Sequence, residues 1–130
     1  MKKTLLLLQV ILLGFLSVNT GYVFAEENQK VTHVVMVWLK QPGNEQQRTA
    51  FIKASEQLNS LPGIVNRHVG VVVSSDRSIV DDSFDVAVTV TMESPRALKN
   101  YLNHPKHKKI LQEKIKPLTK RVVVYDFISQ

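Results

Sequence analysis

The residues best able to do chemistry lie in the last third of the chain. Tyr101, His104 and His107 fall within seven positions, in Y-L-N-H-P-K-H, and Asp126 follows in the closing Y-D-F. Histidine exchanges a proton near neutral pH, and a carboxylate beside it can hold the ring in one tautomer and raise its basicity. A tyrosine hydroxyl can hydrogen-bond a carbonyl or enolate oxygen as negative charge develops there. Tyr101, His107 and Asp126 together would suit removal of a proton next to a carbonyl. The same residues also have a purely structural use. His107 can donate to Asp126 to tie a helix to the last strand, with Tyr101 a core aromatic whose hydroxyl is satisfied, because buried polar groups need partners whether or not they react. Spacing alone leaves both readings open.

Other chemistries find less support. The chain has four histidines and no cysteine. A zinc site would need three or more His or Asp ligands to converge, and His104 and His107 are separated by Pro105, so no metal is expected. His104, just before that proline, is better placed to cap or hydrogen-bond the break. Gly43, Gly63 and Gly70 are isolated, with no Gly-rich loop after a strand, so no nucleotide cofactor is expected. Ser74, Ser75 and Ser78 lack the strand-to-helix elbow of a nucleophile.

The elements that must position these groups follow from apolar periodicity. Val31–Leu39 is apolar on both alternations, with His33, Val35, Val37 and Leu39 on one face and Val34, Met36 and Trp38 on the other. A strand of that kind needs cover on both sides. Gln41-Pro42-Gly43 forms a turn, and Asn44 with Gln47 makes a capping pair for a helix whose stripe is Ala50, Phe51, Ala54, Leu58 and Leu61. Leu61-Pro62-Gly63 ends it. A second strand is predicted over 64–73, with Arg67 on the face of Val65, Val69 and Val71, and Gly70 marking a bulge or a close backbone approach. After a polar stretch with a turn around Asp76, residues 83–92 alternate as a third strand. Phe84, Val86, Val88, Val90 and Met92 face one way; Asp85, Ala87, Thr89 and Thr91 face the other, forming a shallow, semi-polar surface. Ser94 caps a helix over 95–103 and Pro95 suits its first position. Past Pro105, His107, Ile110, Leu111 and Ile115 mark a further helical stripe that Pro117 ends. Residues 121–128 close the chain as a strand, Val122, Val124, Asp126 and Ile128 on one face and Val123, Tyr125 and Phe127 on the other. The order strand, helix, strand, strand, helix pair, strand builds an α+β, ferredoxin-like fold: a four-stranded antiparallel sheet with helices on one face. The other face, carrying Met36 and Trp38, is too apolar to leave open, and a twofold homodimer through that sheet face would bury it.

Composition adds a compartment. Residues 1–25 read as a signal peptide: Lys2 and Lys3, an apolar run from Leu5 to Leu16, then Val23-Phe24-Ala25 before the cleavage point. The apolar run falls short of the ~20 residues of a spanning helix, so no stable membrane insertion is expected after cleavage. The mature chain would be periplasmic or secreted, with 26–30 a flexible lead-in and 31–130 one domain. It would hold 105 of the 130 residues and carry 15 Lys plus Arg against 11 Asp plus Glu, net +4 rather than +6. Without cysteine it must hold by packing alone. Nine of the cations lie between Arg96 and Arg121, with only Glu113 among them. That is a solvated basic surface or an attractor for an anionic ligand. Nucleic acid is not an expected partner, because no aromatic platform is interleaved with the cations.

These residues resemble the stress-responsive A/B barrel domain (Dabb) family of dimeric α+β barrels. The resemblance spans about Thr32 to Phe127 and rests on His33, the L-P-G at Leu61–Gly63, Phe84-Asp85, Tyr101-Leu102-Asn103-His104-Pro105-Lys106-His107 and Tyr125-Asp126-Phe127. It implies a ferredoxin-like dimeric barrel. One branch is similar to plant olivetolic acid cyclase, a cofactor-independent enzyme. That similarity implies His107 as base, Tyr101 as the catalytic tyrosine, Asp126 as the support of the histidine, and His33 as a further pocket histidine. Ala54 stands where the cyclase carries another pocket tyrosine. A related barrel group oxygenates aromatic substrates without a cofactor, which would set Met36 and Trp38 in a pocket wall. Together these readings lead us to expect an exported homodimer with a small apolar pocket for an apolar or anionic small molecule. The alternative is a cofactor-independent lyase, cyclase or isomerase. If the leader reading holds, N-terminal sequencing of the exported protein will begin at Glu26. A full-length chain retained in the membrane would overturn it.

Overall fold

The structure is a computed structural model and describes residues 28–130. The expected signal segment and the start of the lead-in lie outside the described residues. Nine-residue β1 (Val31–Leu39) is followed by α1 (Glu45–Glu56), β2 (Ile64–Val71), β3 (Val86–Met92), α2 (Pro95–Asn103), α3 (Pro105–Ile110) and β4 (Thr119–Ile128). The four strands form one antiparallel sheet in the order β2-β3-β1-β4. Each half is a split βαβ unit, and the helices lie on one face, as the fold class requires. Among the described residues, no helix is long and apolar enough to cross a membrane.

The register sets the helix-facing surface as rows across the sheet. Val71, Val86, Val37 and Val122 form one row, and Val69, Val88, Val35 and Val124 the next. The third row breaks the valine pattern: Arg67, Val90, His33 and Asp126. Over this floor pack Phe51 and Leu58 from α1 and its extension, Leu98 and Tyr101 from α2, and Ile110 from α3, all buried. The central strands are fully covered, Val86, Val90, Met92 and Leu39 having no exposure. The outer strands are not: Val122 and Val124 keep 45% and 46% of their surface.

The helix ends follow their capping residues. Asn44 Oδ1 accepts from Gln47 N at 2.9 Å, and Ser94 Oγ accepts from Ala97 N at 3.1 Å. The Gln47 side chain reaches the Gln41 N–H, bracing the turn rather than the cap residue itself. Gly63, after Pro62, has φ +81°, and a Cβ there would lie 2.8 Å from Ala97 Cβ. The helix itself ends earlier than the L-P-G, at Glu56 with Gln57 as its cap, and turns carry the chain to Leu61; the L-P-G lets β2 start against α2.

Several boundaries differ from the expected ones. The second strand ends at Val71, and its bulge lies between Ile64 and Asn66, so Val65 turns out to solvent; Gly70 has open space around it. The third strand begins at Val86, because Asp85 leaves the alternation. Its buried carboxylate accepts from Leu39 N at 2.9 Å and Gly43 N at 2.7 Å, locking the end of β1 to the turn before α1. The stripe after Pro105 becomes α3, then a π-helical turn over 111–115 and a 3-10 turn over 116–118. Pro117 has no N–H to return to the preceding turn, which favours the change of pitch. β4 therefore starts two residues early, at Thr119.

The opposite face carries Val34, Met36 and Trp38, partly buried, with Tyr125 and Phe127 more than half exposed. The Arg121 guanidinium lies 4.3 Å over the Trp38 ring, and Trp38 Nε1 donates to Ser83 Oγ. Met36 and Trp38 thus sit away from the helices, which removes them from any pocket wall on the helix side.

Asp85→Ala would strand two backbone donors and is expected to cost about 3 kcal/mol of stability, with Asp85→Asn losing less. A chemical denaturation midpoint for the alanine variant equal to wild type would refute this role.

Candidate active site

Between the sheet and the helices lies a cavity of about 190 Å³. Its floor is Val35, Val37, Val88, Val90, Val122 and Val124. Its polar lining consists of His33, Arg67, Ser55, Tyr101 and His107. The two sheet residues come from the exceptional row of the register, and the rest from the helical layer.

The break at His104–Pro105 places the aromatic pair. Leu98 and Tyr101, three apart on α2, share its buried face. His104 is extended, with ψ 133°, and its Nδ1 accepts from Lys106 N at 3.2 Å to cap α3. The chain restarts with His107 and Ile110 buried, again three apart. The His107 ring lies against Tyr101, centroids 4.5 Å apart and planes inclined by 59°. An unbroken helix would have set the next buried turn along the old axis; the break redirects it.

Asp126 does not support His107. Its Oδ1 lies 2.6 Å from His33 Nδ1, across the β1–β4 pairing, and its carboxylate is about half exposed. The expectation of a His107–Asp126 pair fails because the register places Asp126 directly opposite His33. His107 Nδ1 is buried without a partner. Burial, and secondly the charge of the nearby His33 ring, push His107 down from 6.5 to about 4, against a hydrogen bond to the Leu102 backbone. The pull expected from a carboxylate neighbour is thus replaced by a push the other way. Burial raises the Tyr101 hydroxyl above its usual range, opposed by the charge of Arg67 and by a hydrogen bond with its side chain. At neutral pH the pair is therefore a neutral imidazole beside a protonated phenol.

Sequence reasoning missed Arg67. Its Nη1 donates to Asn59 Oδ1 at 2.7 Å and its Nη2 to Ser55 Oγ at 2.6 Å, while Nε is buried with no partner. The available signal was an arginine on the inward alternation of a valine strand. Ser55 was missed as well. It follows Ala54, which is buried beside the cavity without lining it. The other histidines play no part: His104 caps a helix, and His68, paired opposite Thr89, is exposed on the far sheet face.

The arrangement can bind a small apolar molecule and handle its proton. His107 is a neutral ring with one buried nitrogen lacking a partner, Tyr101 a donor to a developing oxyanion, and His33 a ring fixed by Asp126.

The profile of the stress-responsive A/B barrel domain family matches residues 31–129. Among curated proteins no match is found. Solved structures of the same fold include a Dabb-family protein from Mesorhizobium loti, at 16% identity and TM-score 0.65, covering 78% of this chain and 98% of that one. A dimeric ferredoxin-like protein of unknown function from Thermobifida fusca has 20% identity and TM-score 0.64, covering 78% and 92%. A hydroxynitrile lyase from Passiflora edulis has 21% identity and TM-score 0.67, covering 79% and 95%. At these identities the likeness establishes the fold.

The His107 value sets a pH dependence. The folded ring stays neutral above about 4, whereas the unfolded chain takes the proton near 6.5. Below 6.5 protons therefore favour the unfolded chain. The stability is present above pH 6.5 and is lost as pH falls through about 4. NMR titration of the His107 ring is expected to give a midpoint near 4, and His107→Phe to remove this share of the acid sensitivity. A midpoint near 6.5 would refute the buried, unpaired state.

Proposed function

The chain belongs to the stress-responsive A/B barrel domain family, and from that footing we propose that it is a cofactor-independent acid–base catalyst acting on a small, largely apolar carbonyl compound. The reaction class is that of a lyase, cyclase or isomerase. The observation that carries this reading is the meeting of His107, Tyr101 and His33 in the lining of one apolar cavity, with the His107 and Tyr101 rings in contact. In the proposed step the substrate oxygen sits against Tyr101. The neutral His107 imidazole takes a proton from the adjacent carbon, the electron pair moves onto the oxygen, and Tyr101 stabilises the enolate. Asp126 acts through His33, holding its ring by the Nδ1 contact, so it is a positioning residue. The Passiflora edulis neighbour is a lyase, which is consistent with chemistry of this kind on the same fold.

The reading includes a homodimer. Tyr125 and Phe127 are more than half exposed on the far sheet face, beside Met36 and Trp38, and a second copy of the same face would cover them. It also includes export to the periplasm or medium, on the strength of the basic start and apolar run within residues 1–25. Sedimentation of the mature chain should give the mass of two copies, shifting toward one in Phe127→Glu; a monomer at micromolar concentration would dispose of the paired arrangement.

The chemical test is proton exchange. A panel of small ketones, aldehydes and keto acids in D2O, followed by NMR, should show protein-dependent exchange at the carbon next to the carbonyl. His107→Ala should lower that rate by about 10²–10⁴-fold, and Tyr101→Phe should lower it as well, with both variants folded. Binding without exchange would reduce the protein to a small-molecule carrier. Exchange undiminished in folded His107→Ala would remove His107 from the mechanism.

A further inference from the structure

Arg67 assigns a charge to the molecule that the cavity takes. We infer that the ligand is a small aromatic or branched aliphatic carboxylate, its carboxylate held by the Arg67 guanidinium and its apolar body lying on the valine floor. This rests on the reading of the cavity as a ligand site and specifies its ligand.

Three independent observations lead there. The first is an unanswered charge. Arg67 lines a cavity whose other walls are mostly Val, Leu, Ile and Phe, and among the described residues no carboxylate pairs with it. The side chain is half-buried, with its Nη1 contact to Asn59 exposed, so the guanidinium is partly solvated and still open to an anion entering from the cavity side. The nearest acidic group across the row, Asp126, is already taken by His33. The second is preorganisation. Asn59 and Ser55 fix the two outer nitrogens with neutral acceptors, which orient the fork while leaving its charge unspent. Nε–H is buried and unpartnered. A carboxylate can accept from the Nη–H groups that Asn59 and Ser55 leave over, using the planar fork that distinguishes Arg from Lys. The third is the approach. A surface groove shares Leu102, His107 and Leu111 with the cavity and carries Lys108 and Lys116 on its walls. These cations belong to the basic stretch read from the sequence, and at a cavity mouth they favour the arrival of an anion.

Size bounds the ligand. A cavity of about 190 Å³ exceeds the ~150 Å³ apolar cavity that accepts benzene, which leaves room for one ring or a short branched chain with its acid group. The Arg67 position, two strands away from His33 in the register row with Val90 between them, sets the carboxylate at one end of the polar lining. The carbons beyond it then lie toward His33, Tyr101 and His107.

The probes are benzoate and phenylacetate against their neutral amides, measured by calorimetry and by NMR shifts of the His107 and Tyr101 rings. The acids are expected to bind at least about 10-fold more tightly than the amides, with the preference weakening in high salt. Arg67→Gln is expected to lower acid affinity at least about 30-fold while amide binding changes little, and Arg67→Lys to recover only part of the loss. Should Arg67→Gln fail to fold, the wild-type comparison of acid with amide decides alone. Equal binding of acid and amide would overturn the carboxylate assignment and leave the cavity as a ligand site. Perturbation of neither ring by either class would overturn both.

Discussion

A polar group brought between this sheet and its helices must find a partner there, since water is largely excluded and the surrounding surface is aliphatic. That constraint orders the site. His33 meets it through Asp126, reached across the β1–β4 pairing. Asp85 meets it by accepting two backbone N–H groups. Arg67 meets it in part, through Asn59 and Ser55. Two buried side-chain atoms remain unanswered among the described residues, Arg67 Nε and His107 Nδ1, and both belong to residues that line the same cavity. Such atoms each cost on the order of 1–3 kcal/mol in a chain that has no disulfide to offset them. Both residues also reach the cavity with other parts of their side chains, which is where the proposed ligand would meet them.

Local chemistry in the helical layer makes this coincidence possible. Pro105 disfavours helical geometry at His104, and the extended His104 then caps the helix that follows with its own ring. Tyr101 ends one buried face and His107 begins another, so the two rings meet although they lie six residues apart. Beyond, the change to π-helical pitch carries Leu111 and Ile115 over the same cavity before the chain enters β4. Gly63 acts at the opposite side, where only a residue without Cβ can take φ +81° against Ala97.

Those local features were legible in the sequence because capping residues, prolines and period-two alternation act over a few positions. Ser94, Asn44 and the His104–Pro105 break all do in the structure what their types suggest, whereas the first helix ends at Glu56, before the Leu61–Gly63 stop. The failures are failures of register. Whether Asp126 faces His33 or His107 depends on how β4 slides against β1, and no single strand carries that information. The bulge near Val65 changes which neighbours of Arg67 point inward, and the alternation of valines hid it. Asp85 fits an alternating strand as a solvent-side residue, and only the fold shows that it turns back to the Leu39 and Gly43 N–H groups.

Charge connects the remaining pieces. With only the protein's own groups around it, the His107 ring stays unprotonated down to about 4, which makes it a weak base at neutral pH. The causes are burial first, then charge interactions with His33, Arg67 and His104. An anion bound at Arg67 would act against the charge part of that list, since an opposite charge within ~4–6 Å favours the protonated ring. The same ligand charge that answers the guanidinium would therefore raise the basicity of His107 toward the range where proton transfer is efficient. A neutral molecule of equal shape would fill the cavity and leave the base weak. On this argument Arg67 and His107 form one device, in which the group that recognises the acid end of a ligand also determines whether the proton at its other end can be taken.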